Sequence, residues 1–157
     1  MRIVTTILVL QTYFTLHLSA QDSNHVGQYT DYFANGNSKI EGYYSEKSMK
    51  EGIWKHYYED GKIKKVEHYE RGSQVGEFKS YYSSGQLLEA GNYSPFQTRK
   101  EGVWKRFFEN GQLKFQAQYH TGKFCGIYLE YYQNGNVSLK GEYDYFGNTK
   151  KSDWIEY

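Results

Sequence analysis

The chain has 157 residues, room for one domain, and its 19 Lys and Arg against 18 Asp and Glu leave a formal charge of +1. Both signs are interspersed, so no long-range field draws a polyanion, and nucleic acid is not an expected partner. Aromatics make up 19% of the chain, with 18 tyrosines and a single proline, Pro95, a balance suited to half-exposed sheet surfaces rather than a thick aliphatic core.

The N-terminus reads as an export signal. Met1-Arg2 is a short basic start, Ile3 to Leu18 is mostly apolar, and Leu18-Ser19-Ala20 offers small residues for cleavage before Gln21. The apolar run is broken by Gln11 and His17 and is short for a stable membrane span. Residues 21–26 form a leader. The expected location is therefore outside the cytoplasm: periplasmic, cell-surface or secreted.

From Gly27 onward the chain repeats. Units start at Gly27, Gly52, Gly76, Gly102 and Gly126, and a partial one starts at Ser152. In every full unit a turn glycine follows nine positions later (Gly36, Gly61, Gly85, Gly111, Gly135), and a tyrosine eight after that (Tyr44, Tyr69, Tyr93, Tyr119, Tyr143). Agreement in all five copies marks a repeat protein. Each unit is two strand patterns around a dipeptide such as Asn110-Gly111, which predicts a β-hairpin closed by a two-residue type I′ turn. That turn pairs Tyr58 with Ile63, His56 with Lys65, Trp54 with Glu67 and Gly52 with Tyr69, all on one side of the sheet.

The expected core face carries Tyr29, Trp54, Phe78, Trp104, Tyr128 and Trp154 opposite Gly42, Glu67, Gly91, Ala117 and Gly141. Large rings facing small residues fit the device in which an aromatic covers a sheet glycine. Trp54 and Trp104, with the turn glycines Gly61, Gly111 and Gly135, are the expected structural residues. Nearer the turn, Phe33, Tyr58, Tyr82, Phe108 and Tyr132 are expected to meet Ser38, Ile63, Leu87, Leu113 and Val137 on this same face. At ~25 cal/mol per Å², each buried ring contributes about 3–4 kcal/mol at most.

The other face carries Thr30, Lys55, Lys79, Lys105 and Leu129, and an aromatic column of Tyr32, Tyr57, Tyr81, Phe107, Tyr131 and Tyr157, with Lys39, Lys64 and Lys114 as neighbours. Such a ladder can stack on sugars, grip an extended peptide or hold cations; it also fits an ordinary solvated face where Tyr packs over lysine stems. Connections between hairpins alternate. The short ones contain Gly72 and Gly122; the longer ones are rich in Ser, Lys and Glu and offer variable surface for partners. Consecutive hairpins make one elongated antiparallel meander of about ten to eleven strands, an all-β fold.

Catalysis is not expected. No G-x-S-x-G elbow, G-x-x-x-x-G-K-[ST] phosphate loop or H-E-x-x-H zinc helix occurs. His56 and His68 fall on opposite faces, and His25 and His120 lie in different copies, so no metal site and no cofactor is expected. Glu59, Glu67 and Glu109 neighbour lysines, for which solvated pairing is a sufficient account. Cys125 is the only cysteine and reads as a small residue packed beside Gly126.

The units G-I-W-K-H-Y-Y-E-D-G, G-E-F-K-S-Y-Y-S-S-G, G-V-W-K-R-F-F-E-N-G and G-I-Y-L-E-Y-Y-Q-N-G resemble the MORN repeat, in particular the bacterial variant known as the YwqK-type antitoxin. The first copy, G-Q-Y-T-D-Y-F-A-N-G, is a looser match. The resemblance spans residues 27–157 and implies stacked hairpins that act as a scaffold for protein or membrane contacts without catalysis. The export signal departs from an antitoxin acting inside the cell. The expected function is thus a protein-binding scaffold, with a glycan or lipid head-group module, or an antitoxin-type neutraliser, as alternatives. Unpaired end strands offer a route to oligomers through sheet edges.

Overall fold

The computed structural model describes residues 26–144 and the strand at 155–156. The segment Met1–Ala20, most of the leader, and Ser152, Trp154 and Tyr157 lie outside the described residues. The strands are β1 (Gly27–Tyr32), β2 (Ser38–Tyr44), β3 (Lys50–Tyr57), β4 (Ile63–Glu70), β5 (Ser73–Tyr81), β6 (Leu87–Tyr93), β7 (Lys100–Phe107), β8 (Leu113–His120), β9 (Lys123–Tyr131), β10 (Val137–Tyr143) and β11 (Ile155–Glu156). Each pairs antiparallel with its sequence neighbours, in the order β1 to β11. The expected all-β meander is the observed fold.

The hairpin turns differ from expectation. Phe108 N–H donates to Gln112 O at 2.8 Å and Gly111 N–H to Phe108 O at 2.9 Å, and of the loop residues only Gly111 has positive φ, at 86°. This is a three-residue loop, a type I turn followed by a left-handed glycine. Copies at Gly36, Gly61, Gly85 and Gly135 repeat it. Asn110 serves another purpose: its Oδ1 accepts the Gln112 N–H at 3.0 Å, the local bond that makes Asn and Asp turn formers. Turns with two positive φ values do occur, but between hairpins, at Arg71-Gly72 (50° and 79°) and Thr121-Gly122 (50° and 84°).

The extra loop residue shifts the register near each turn. Away from it the pairs are as expected, Gly52 with Tyr69, Trp54 with Glu67 and His56 with Lys65, but next to the turn Ile63 faces Tyr57. Tyr58 instead closes on Lys62. Leu87, Leu113 and Val137 likewise face Tyr81, Phe107 and Tyr131, so these aliphatics leave the core face. A one-residue slip moves a side chain to the other side of the sheet.

A second irregularity explains the starting glycines. Between the pairs Glu41–Lys55 and Tyr43–Glu51, Gly42 alone opposes the three residues Gly52, Ile53 and Trp54. Gly52 takes φ 67° within this bulge, and Gly76, Gly102 and Gly126 take 63° to 69°, a conformation glycine reaches without steric cost. The bulge turns Ile53, Val103 and Ile127 outward, each about half exposed. It also carries Trp54 onto Gly42 and Trp104 onto Gly91. The ring that covers each glycine therefore comes from the following hairpin, rather than from the partner strand of its own.

Trp54, Phe78 and Trp104 are buried, as are Val75, Ala117 and Cys125; Tyr29 and Tyr128 are half-buried. Trp104 stacks on Phe78 at 5.5 Å and meets Tyr93 edge-on at 5.1 Å. Lys100 Nζ lies 3.8 Å from its ring centroid. Trp54 repeats the arrangement with Tyr29, Tyr44 and Lys50. The packing period is thus two hairpins, with one tryptophan box per pair.

Candidate functional site

Two surfaces carry the residues singled out from the sequence. On the outer face a cross-strand row runs without a break through Glu41, Lys55, Val66, Lys79, Ala90, Lys105, Gln116 and Leu129. Lys55, Lys79 and Lys105 alternate with Val66 and Ala90, so successive ammonium groups stand about 10 Å apart by strand spacing. Lys79 pairs with Glu77 at 2.7 Å, and this holds its pKa above the ordinary lysine value, first through the hydrogen bond and then through charge.

A parallel row holds the aromatic column. Tyr57, Tyr81, Phe107 and Tyr131 are half-buried, and Tyr32, at the sheet edge, is 59% exposed. The register shift supplies each with a small or aliphatic partner: Ser38, Ile63, Leu87, Leu113 and Val137. This row is more apolar than the two-residue turn predicts, because the register shift pairs it with aliphatics. The lysines expected beside it move the opposite way. Lys64 Nζ lies 5.5 Å over the Tyr58 ring and Lys114 Nζ 5.3 Å over Phe108, both on the core side. Tyr57 Oη donates to Glu41 Oε2 at 2.6 Å. Desolvation, then this bond, pushes its pKa up to about 12.

The core side is polar where strands widen. Glu67 is buried, 5% exposed, with His56 Nε2 at 3.0 Å and Lys65 Nζ at 3.1 Å. Gln74 Nε2 donates to its other oxygen at 3.1 Å. Burial pushes the carboxyl pKa up, but His56 and Lys65 outweigh it and the net shift is downward. Solvated pairing is therefore not the account for Glu67; it is an internal ion cluster. Farther along, a cavity of about 320 Å³ opens among Glu89, Arg106, Phe115, Phe124, Tyr128 and Glu130. No motif in the sequence marks it, since its residues come from four strands.

Turn regions add ties between repeats. Tyr58 Oη donates to Tyr81 O at 2.6 Å and Tyr82 Oη to Phe107 O at 2.9 Å. Asn35 and Asn37 both donate to Glu59 O. The structural glycines Gly61, Gly111 and Gly135 supply the left-handed residue of each loop. Among the described residues no group of three or more His, Cys, Asp or Glu is placed to hold a metal, and no helix is long and apolar enough to cross a membrane.

Comparison with known families agrees with this geometry. The MORN repeat variant profile matches residues 50–71, 74–94, 100–120 and 124–145, each segment one of the hairpins β3–β4 to β9–β10. No curated protein matches the chain. The matched segments cover more than half the sequence and coincide with its hairpins, and the chain belongs to the MORN repeat variant family.

Proposed function

We propose that this is a non-catalytic, exported scaffold whose outer sheet face binds another protein. The observation that carries the reading is the pair of adjoining rows on that face: Tyr57, Tyr81, Phe107 and Tyr131 backed by aliphatics, beside Lys55, Lys79 and Lys105. An apolar strip flanked by regularly spaced cations resembles the hydrophobic centre and polar rim of a protein interface. Tyrosines supply large contact area with few rotatable bonds. Export rests on the Met1–Ala20 pattern, and an antitoxin-type neutraliser of an extracytoplasmic target is the alternative that the family resemblance offers.

The test is affinity capture from envelope and secreted fractions with residues 21–157, beside the variant Tyr57→Ser, Tyr81→Ser, Tyr131→Ser. A protein retained by the wild type and lost by the folded variant, with affinity reproduced by the purified pair, supports the reading. Equal capture by both moves the interface elsewhere. N-terminal sequencing of the native protein checks cleavage after Ala20. The second reading, binding of lipid head groups, draws on the same lysine row; co-sedimentation with vesicles at two salt concentrations separates it, since binding to phosphates weakens as salt rises.

A further inference from the structure

The two-hairpin packing period makes the array nearly symmetric, and the surroundings of Glu67 are a place where the two halves differ. In the first packing period the strand-crossing row of Ile40–His56 and Lys65–Ser80 runs beside Glu67. Its carboxylate has His56 and Lys65 beside it and accepts from Gln74, and it fills the space. In the second, the matching row is Glu89–Arg106 and Phe115–Glu130. Ala117 stands in place of Glu67, and Phe124 in place of Gln74. The filling carboxylate is gone, and the cavity of about 320 Å³ is left.

We propose that this cavity is a glycan-binding site that takes a neutral sugar ring; it shares one lining residue, Tyr131, with the protein-binding rows. Its walls are aromatic. Phe124 lies 4.8 Å from Tyr119 and meets Tyr128 edge-on at 5.4 Å, and Phe115 meets Tyr128 at 5.3 Å. Rings set at angles present negative π-faces, against which the C–H face of a pyranose packs. Its polar groups alternate. Arg106 donates, while the Glu89 and Glu130 carboxylates accept, and a sugar hydroxyl can answer either.

Charge selects the neutral ligand. Glu89 is held by Lys100 at 3.0 Å and Arg106 at 3.5 Å, and Glu130 receives the Tyr128 hydroxyl. With Lys114 the lining carries two cations and two carboxylates, so no single sign of field favours an acidic or basic chain. A volume of about 320 Å³ stands at the low end for small-ligand pockets. It suits one or two rings of a chain that continues into solvent.

Saturation-transfer NMR of the full-length protein with chitotetraose, cellotetraose and maltotetraose tests this, beside tetragalacturonate and tetraglutamate as acidic comparators. Transfer to the C–H protons of at least one neutral tetrasaccharide is expected. Phe124→Gln and Arg106→His, which install the residues of the self-filled position, weaken it about tenfold or more. Glu130→Gln reads the acceptor without altering a ring, and the wild-type thermal midpoint certifies each variant as folded. No transfer to any neutral probe overturns the proposal. So does transfer unchanged in all folded variants, or binding of the acidic comparators alone.

Discussion

The indole of Trp104 covers Gly91 of the preceding hairpin so closely that a Cβ at Gly91 would fall inside the ring's van der Waals envelope. Trp54 and Gly42 stand in the same relation one packing period earlier. Neither glycine has a positive φ, so space alone requires the residue. Gly91→Ala and Gly42→Ala are expected to destabilise the fold by about 1–3 kcal/mol through overpacking, measured by urea unfolding. A shift within error in either would show that the bulge can open without cost.

The two tryptophans differ in one bond. Trp104 Nε1 donates to Asn92 O at 3.0 Å, whereas Trp54 Nε1 is buried without a hydrogen-bond partner among the described residues. Replacement by Phe removes the same volume from each. Trp104→Phe is therefore expected to cost about 1 kcal/mol more than Trp54→Phe, a difference read from paired denaturant curves; equal losses would count against it.

Thr121 holds φ at 50°, where a β-branched residue is strained. Its N–H donates to Glu101 Oε2 at 2.9 Å, a bond any residue with an N–H can keep. Thr121→Asn is expected to stabilise by about 0.5–1 kcal/mol, since Asn tolerates the left-handed region better. The thermal midpoint should rise, and a fall would mean the threonine side chain makes a compensating contact.

Acid should loosen the middle of the array. The Glu67 pKa in the folded chain lies below its ordinary value of 4.5, because His56 and Lys65 outweigh burial. Glu41 and Glu101 are lowered too, led by the Tyr57 hydroxyl bond and the Thr121 backbone bond respectively. A depressed carboxyl stabilises fully above its unfolded value and loses that contribution as pH falls through the folded one. Stability should decline below about pH 4.5, and Glu67→Gln should start lower and decline less steeply. Parallel curves for the two proteins would remove Glu67 from the account.

At alkaline pH the sign reverses. The Tyr57 and Tyr69 pKa values are both pushed to about 12, first by desolvation and then by the carboxylates Glu41 and Glu67. The neutral phenol is favoured in the fold, so this stabilisation is present below the ordinary value of 10.0 and is lost as pH rises through about 12. Near-ultraviolet titration should show late-ionising tyrosines, and Glu41→Gln should bring one of them down. An unchanged titration would separate Tyr57 from its carboxylate.

What the sequence determined by itself was the hairpin period, the strand order and the residues of the tryptophan row, because alternation and glycine spacing are local properties that a linear chain displays. Two decisions needed the tertiary structure. Asn110-Gly111 is compatible with a two-residue or a three-residue loop, and only the closed bonds of Phe108 to Gln112 and Gly111 to Phe108 select the latter, sending Ile63, Leu87 and Leu113 to the outer face. Burial was the other. Glu67 reads as one more surface carboxylate until the neighbouring hairpin lays Gln74 against it, and the cavity at Arg106 and Phe124 exists only because residues of four strands meet across the sheet. Side-chain periodicity is written in a strand, but what covers it is set by the strand beside it.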